Sequence, residues 1–171
     1  MPLTSLVLAV ALGADPAPIV GRGDTLGAVN GVSVLVEDVD VRAERLGVSS
    51  QALRLKVEDR VLTSGIALLD DEALERQPAA PMLYVRVQMV PVTKARCAAA
   101  VEVQLLQLVS LSSGERAWAT TWSHATLVRA DPRRLAGAVD EVLARQMRGF
   151  ARTYHAAHGL GRRDALLAGR E

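Results

Sequence analysis

The stretch Ala98–Val128, AAAVEVQLLQLVSLSSGERAWATTWSHATLV, contains two long runs of strand-forming residues on either side of one short polar turn. Its first half alternates apolar and polar side chains, as a half-buried strand does. The Ser-Ser-Gly of residues 112–114 is typical of a hairpin connection. The second half begins at Glu115 and is rich in threonine and tryptophan, which favour strands. The stretch therefore predicts a long antiparallel hairpin.

The segments around this hairpin predict further strands and two main helices. Residues 32–36 and 82–90 are strand-like, with a short strand at 66–69 and a brief helix at 71–77. Two segments place apolar residues every three or four positions, as amphipathic helices do. Their apolar stripes are Leu53, Val57 and Val61 in the first, and Leu135, Val139, Val142, Leu143, Phe150 and Tyr154 in the second. We therefore expect an α+β fold, a mixed and mostly antiparallel sheet with two main helices packed on one face.

Composition limits the classes of function. The 171 residues suit a single domain, which we place at residues 31–158, followed by a flexible tail at 159–171. The formal net charge of +1 gives no global field that would recruit nucleic acid. Cys97 is the only cysteine, so an internal disulfide is excluded and a small buried apolar role is expected. We expect no cofactor and no bound metal.

The first residues resemble an export signal. An apolar run from Leu3 to Leu12 is followed by small residues, which is the length of a signal peptide and too short for a membrane-spanning helix. We expect residues 1–14 to be this signal and residues 15–30, rich in glycine and proline, to be a linker. The protein is then expected to be periplasmic or otherwise exported. No cysteine follows the run, so a lipid anchor at the mature terminus is not expected.

The returning strand of the hairpin has two unlike faces if it is regular. Ala117, Ala119, Thr121, Ser123 and Ala125 would share one face, which suits the close approach of helices. The opposite face of the sheet would then be open and would carry the candidate binding residues, which are Tyr84, Arg86, Gln88, Glu102, Gln104, Trp118, Trp122 and His124. Tryptophan, tyrosine and arginine dominate the energetics of protein interfaces. The opposite arrangement, with the tryptophans in the core and the alanines outside, is equally compatible with the pattern.

Ser123 and His124 are adjacent and raise the possibility of a serine hydrolase. Neighbouring side chains of a regular strand point to opposite faces, so the two cannot form a hydrogen-bonded dyad there. The segment also lacks the flanking glycines of a strand-to-helix nucleophile elbow. We therefore expect no catalytic residues in this segment.

Two clusters of basic or metal-binding side chains can be explained without a binding site. His155 and His158 could share a helix face and bind a metal, but no third ligand is indicated, and cations are favoured at a helix C-terminus in any case. The region near the last helix also carries six arginines: Arg129, Arg133, Arg134, Arg145, Arg148 and Arg152. A surface for phosphate or anionic lipid is conceivable, whereas the neighbouring acids and the near-neutral charge favour a solvated helix face.

The order of elements, together with TSGIALLDDEAL at residues 63–74, MLYVRVQMV at 82–90 and the long hairpin, resembles the amino-terminal domain of the periplasmic TolB protein. It is also similar to exported transport auxiliary lipoproteins and small bacterial envelope proteins. This resemblance covers about residues 31–156 and implies an α+β envelope domain that binds a protein or lipid partner without catalysis. The chain departs from it in two ways, since it has no lipobox cysteine and no propeller follows the domain.

The residues and the resemblance together predict a non-enzymatic exported envelope protein that docks a protein or lipid-transport partner. Two alternatives stay open at this point. One is a small-ligand binder or enzyme with a pocket around Trp122, His124 and Tyr84, and the other is a structural homodimer.

Overall fold

One four-stranded sheet organises the structure, a computed structural model that describes residues 25–91 and 97–159. Its strands are β1 (Ser33–Val36), β2 (Met82–Pro91), β3 (Cys97–Ser110) and β4 (Arg116–Ala130), and they lie in the order β1-β2-β3-β4. β1 is parallel to β2, and the other neighbours are antiparallel. β3 and β4 form the long hairpin that the sequence predicted. The α+β fold class with a mixed, mostly antiparallel sheet is confirmed.

Four helices accompany the sheet in the described residues: α1 (Val41–Arg45), α2 (Ser50–Thr63), α3 (Asp71–Glu75) and α4 (Leu135–Ala157), the last preceded by a 3₁₀ turn at Pro132–Arg134. Ser49 begins α2, because its hydroxyl accepts a hydrogen bond from the Ala52 N–H at 3.3 Å. Gly65, with φ of +72°, follows the end of this helix. α1 lies between the predicted first strand and the first predicted main helix, where no helix was predicted, and its N-cap is Asp40.

The core lies between one face of the sheet and the helices α2 and α4. Every residue of the two predicted apolar stripes is buried. α4 packs on β3 and β4, and its Phe150 ring meets Trp122 edge to face with the ring centroids 5.2 Å apart. Cys97 is also buried, as expected, and its thiol is free. The core thus combines aliphatic residues with a few aromatic contacts.

The two edges of the sheet differ. Beside β1, the backbone of Val32 exchanges hydrogen bonds with Ala67 and Leu69 at 2.9 Å each, so the predicted short strand at 66–69 forms a single bridge there. β4 forms the opposite edge and, in the part of the chain that the structure describes, pairs with β3 alone. The β1 edge is therefore partly paired, whereas the backbone groups on the outer side of β4 have no partner strand in the described residues.

The packed core extends upstream of Gly31. Leu26 and Val29, within the predicted linker, are fully buried among core residues. The predicted signal peptide at 1–14, the first part of the predicted linker and nearly all of the predicted tail lie outside the described residues. Within residues 25–91 and 97–159, no helix combines the length and the apolar character needed to cross a bilayer.

Candidate docking surface

A β-bulge in β4 changes which of its side chains face the helices. β3 and β4 keep a regular register up to Leu105 opposite Trp122, but the next residue of β3, Leu106, lies opposite Thr120. Thr121 is therefore the extra residue of β4. Its hydroxyl donates to the Gln107 side-chain oxygen at 2.5 Å and lies 3.4 Å from the Leu105 carbonyl oxygen. Even-numbered residues before Thr121 therefore lie on the same face of the sheet as odd-numbered residues after it.

The sheet face away from α2 and α4, which we call the open face, is covered by no helix among the described residues. Six of the eight candidate residues belong to it, as the sheet register shows: Tyr84, Arg86, Gln88, Glu102, Gln104 and Trp118. The register adds Ser123, Ala125 and Leu127 of β4, and Leu35 of β1, to the same face. The prediction of an exposed polar and aromatic sheet face is therefore right in its larger part.

The predicted placement of Trp122 and His124 on this face is wrong. Trp122 lies opposite Leu105, His124 lies opposite Val103, and both β3 partners belong to the helix-covered face. Trp122 is only 3% exposed, whereas Trp118 is 53% exposed. The bulge at Thr121 is the physical reason, because one inserted residue reverses the alternation. For the same reason Ser123 and Ala125, expected beneath the helices, lie on the open face.

A polar network occupies the middle of the open face. The Tyr84 hydroxyl donates a hydrogen bond to the Glu37 carboxylate, and the Arg86 guanidinium lies 3.2 Å from the same carboxylate. The hydrogen bond to Glu37, together with partial burial, raises the pKa of Tyr84 above 10.0. Gln104 donates to Glu102 at 2.7 Å. Arg86 offsets the charge of Glu37, and Glu102 adds one further negative charge, so the formal charge of this network is −1.

Apolar side chains lie around this network. Trp118 pairs across the strands with half-buried Leu108 at one end of β4. Leu127, 57% exposed, lies near the other end, and Leu35 on β1 is 46% exposed. Aromatic side chains such as that of Trp118 are enriched at protein interfaces. The open face thus offers two apolar contact points along the free edge strand.

No dyad joins Ser123 to His124, because the two lie on opposite faces as predicted. The His124 Nδ1 atom lies 3.3 Å from the amide nitrogen of Gln146, a buried residue of α4. Tyr84 lies on the other side of the sheet, so it cannot line one pocket with Trp122 and His124. The small-ligand or enzyme alternative built on those three residues is wrong.

The two histidines near the end of α4 are tied to backbone carbonyls. The His155 ring lies 2.8 Å from the Ser64 carbonyl oxygen, and the His158 ring lies 2.8 Å from that of Tyr154. Within the described residues, no group of three histidine, cysteine or acidic side chains could hold a metal ion. The His155 contact joins α4 to the end of α2, whereas the His158 contact lies within the end of α4.

The six arginines form two groups. Arg129, Arg133 and Arg134 line a cavity of ≈ 860 Å³ at the start of α4. The other three lie on the exposed side of α4, further along the helix: Arg145, Arg148 and Arg152. Trp122 lines neither this cavity nor the cavity beside β1.

Four members of the open face were missed: Leu35, Ser123, Ala125 and Leu127. The sequence carried a signal for Leu35, which alternates with buried Val34 in β1. It carried none for Leu127, because its side of the sheet depends on the bulge six residues earlier. Hydrophobic alternation alone assigns it to the wrong face.

Comparison with known proteins gives distant likenesses only. A scan against models of protein families finds no match, and a search of curated proteins finds none either. One solved structure with a distant likeness is a dodecamer of a methionine variant of PelC from Paraburkholderia phytofirmans. It is 17% identical with a TM-score of 0.42, covering 68% of this chain and 84% of that chain. A second PelC dodecamer from the same organism is 17% identical with a TM-score of 0.40, covering 69% and 85%. A minor lipoprotein from Acinetobacter baumannii is 10% identical with a TM-score of 0.34, covering 75% and 92%. Likeness at this level does not assign the chain to either family, and the resemblance to TolB stays a prediction.

Proposed function

We propose that the protein is a non-catalytic docking module of the cell envelope, which binds an extended segment of a partner protein along β4 and the adjoining open face. Addition of a strand to a free sheet edge is a common mode of peptide recognition. Backbone hydrogen bonds would supply affinity, and alternate side chains of the incoming strand would contact the exposed groups on the open face.

The free edge of β4 is the observation that carries this proposal. The strand has 15 residues, about three times the usual strand length, and spans roughly 50 Å. From Ala117 to Val128 it contains no charged residue, no proline and no glycine. Natural proteins commonly blunt exposed edges with lysine, proline or short strands. β4 has only the bulge at Thr121, which supports a role in accepting another strand.

The charge of the edge favours a partner protein over a second copy. Arg116 and Arg129 lie near the two ends of β4, so an incoming strand with acidic ends would complement both of them. If a second copy of β4 were the incoming strand, its own arginines would lie near the two ends of the first β4. That strand would supply no acidic residue to pair with Arg116 or Arg129. We therefore assign the site to a partner strand with an uncharged middle and acidic ends.

Site-specific photo-crosslinking in the native host tests the proposal. A photo-reactive amino acid in place of Trp118 is expected to give one defined adduct, identified by mass spectrometry as a protein with such a segment. The same amino acid in place of Leu55, a 61% exposed residue of α2, serves as the matched control and should give no such adduct.

The edge itself is tested by Ala125→Lys, which adds a charge to the uncharged run of β4. This change should abolish the adduct from position 118, because a charged edge disfavours strand addition. Leu55→Lys should leave that adduct unchanged. Adducts of equal strength from both positions would refute specific docking. Adducts only between copies of the chain would replace the partner with a homodimer.

The envelope location rests on the apolar run from Leu3 to Leu12, which resembles a signal peptide. We expect deletion of residues 1–14 to retain the protein in the cytoplasm, whereas the full chain reaches the envelope fraction. Cell fractionation with immunoblotting measures this directly. An unchanged distribution of the truncated protein would contradict export, and it would leave the docking site on β4 to be tested by the crosslinks alone.

A further inference from the structure

The cavity at the start of α4 is a second feature, distinct from the open face. It occupies ≈ 860 Å³, and Arg129, Arg133 and Arg134 lie in its wall. Arg129 comes from the end of β4, whereas the other two come from the 3₁₀ turn that leads into α4. Three arginines from two elements therefore line one concave space.

The chain leaves these three positive charges without an ion-pair partner in the described residues. The ion pairs present there join other groups, namely Arg54 to Glu58, Lys56 and Arg60 to Asp140, Arg76 to Glu72, and Arg86 to Glu37. Asp131 and Glu141 also line the cavity, but neither forms a salt bridge to its arginines. The lining carries three positive and two negative side chains, so its formal charge is +1.

The helix adds further positive potential at this place. The N-terminal end of a helix carries a partial positive charge, so cations there are unfavourable and anions are favourable. The first turn of α4 contains no acidic residue, and neither Asp131 nor Arg134 caps the backbone with its side chain. The arginines thus lie where the helix disfavours cations, and an anion in the cavity would relieve both effects.

We infer that this cavity binds a phosphate group, carried either by a soluble phosphate ester or by a phospholipid headgroup. Guanidinium groups match phosphate oxygens in planar, bidentate geometry. The volume exceeds what a bare phosphate fills, so the cavity also accommodates the group to which the phosphate is attached. Arg129 and Ala130 of the lining belong to β4, so the cavity adjoins the end of that strand, whereas Arg133 and Arg134 lie outside it.

Two probes distinguish the sources of the phosphate. Glycerol 3-phosphate, followed by isothermal titration calorimetry, represents a soluble ester. Vesicles of phosphatidylcholine with and without phosphatidylglycerol, followed by co-sedimentation, represent a membrane headgroup. We expect saturable binding of one probe or both by the full-length protein. Binding only to phosphatidylglycerol vesicles assigns the site to a membrane, and binding only to glycerol 3-phosphate assigns it to a soluble ligand.

Paired variants locate the binding. Arg133→Gln with Arg134→Gln should weaken it about tenfold or more, since each hydrogen bond to a charged group contributes appreciably to affinity. Arg148→Gln with Arg152→Gln removes the same charge from exposed turns of α4 outside the cavity and should change affinity less than about twofold. Thermal melts verify that both variants fold. Absence of saturable binding to either probe, or equal losses in both variants, would overturn the inference.

Discussion

The bulge at Thr121 places the side chains of Trp118 and Trp122 on opposite faces of the sheet. Trp118 and Trp122 are four residues apart and would share a face in a regular strand. The extra residue between them places Trp118 in solvent and Trp122 against Phe150 of α4. The Thr121 hydroxyl contacts Gln107 on the neighbouring strand and thereby fixes the bulge to β3.

This difference between the tryptophans is measurable as stability. Trp122→Ala should lower the free energy of unfolding by about 3 to 5 kcal/mol, because it leaves a cavity beside Phe150. Trp118→Ala should change it by less than about 1 kcal/mol, because that side chain is half exposed. Urea denaturation followed by circular dichroism measures both variants. Similar losses in the two would contradict the opposite placement of the rings.

Residue patterns could predict the two faces of the sheet but not the bulge. Tyr84, Arg86 and Gln88 were assigned correctly, because β2 is regular and its alternation is unbroken. Trp122 and His124 were misassigned, since a bulge is a local backbone event and this one follows no glycine or proline. Gln146 is a core residue that the predicted apolar stripe of α4 does not include, because its side chain is polar. It donates to the Val101 carbonyl oxygen at 3.0 Å and is 1% exposed.

At the scale of elements, α2 and α4 are joined by charge as well as by packing. Asp140 of α4 accepts from Arg60 at 2.9 Å and lies 3.3 Å from Lys56 on α2. Burial of the Asp140 carboxyl raises its pKa, but the hydrogen bonds and charges of Arg60 and Lys56 outweigh this, and the pKa falls below 3.8. The carboxylate is therefore stabilised in the folded state.

Asp140→Asn should destabilise the protein in a pH-dependent way. The pKa of the Asp140 carboxyl is lower in the folded state than its ordinary value of 3.8. The ion pair therefore stabilises the protein fully above pH 3.8, and this stabilisation is lost as the pH falls through the folded pKa. At pH 7 we expect a loss of about 0.5 to 1 kcal/mol, because the pair is partly exposed. Urea melts from pH 7 to pH 2 measure the difference from wild type, which should close at the acidic end.

Asp59→Asn is the matched control for that experiment. It removes an exposed carboxyl from α2 that forms no ion pair within the described residues. A difference between Asp140→Asn and wild type that stayed constant over the whole pH range would contradict the ion-pair explanation.

The end of α2 depends on backbone geometry. Gly65 has φ of +72°, a conformation that side chains with a Cβ disfavour. We expect Gly65→Ala to lower the free energy of unfolding by about 1 kcal/mol or more. Gly149→Ala, inside α4 and with open space at its Cβ, should instead raise it by about 0.5 to 1 kcal/mol. Thermal melts measure whether each variant is less or more stable than wild type. Equal changes in stability for the two variants would contradict the proposed role of Gly65 at the helix end.

Elements with strong periodicity were predictable, and short ones were not. The apolar stripe of α4 recurs over six turns and places every predicted residue in the core. α1 has five residues, too few for a periodic pattern, and only the capping Asp40 signals its start. The segment 66–69 resembled a strand but forms one bridge, because β1 beside it is itself only four residues long.

At the scale of the whole molecule, one helix layer covers one side of the sheet, and no helix of residues 25–91 and 97–159 covers the other side. The β1 edge is closed by residues 66–69, whereas β4 offers a long uncharged edge next to Trp118 and Leu127. The sequence offered an open polar and aromatic face as one of two arrangements, and it could not predict which edge is free, because strand order follows from contacts between distant segments. The docking proposal rests on this asymmetry.

Residue-resolved amide hydrogen exchange on the purified protein tests the free edge most directly. We expect alternate amides of β4, those that do not donate to β3, to exchange rapidly at all protein concentrations, while their neighbours are protected. Slow exchange at every amide from Ala117 to Val128, unchanged on dilution, would show that the chain covers its own edge and would contradict docking on β4.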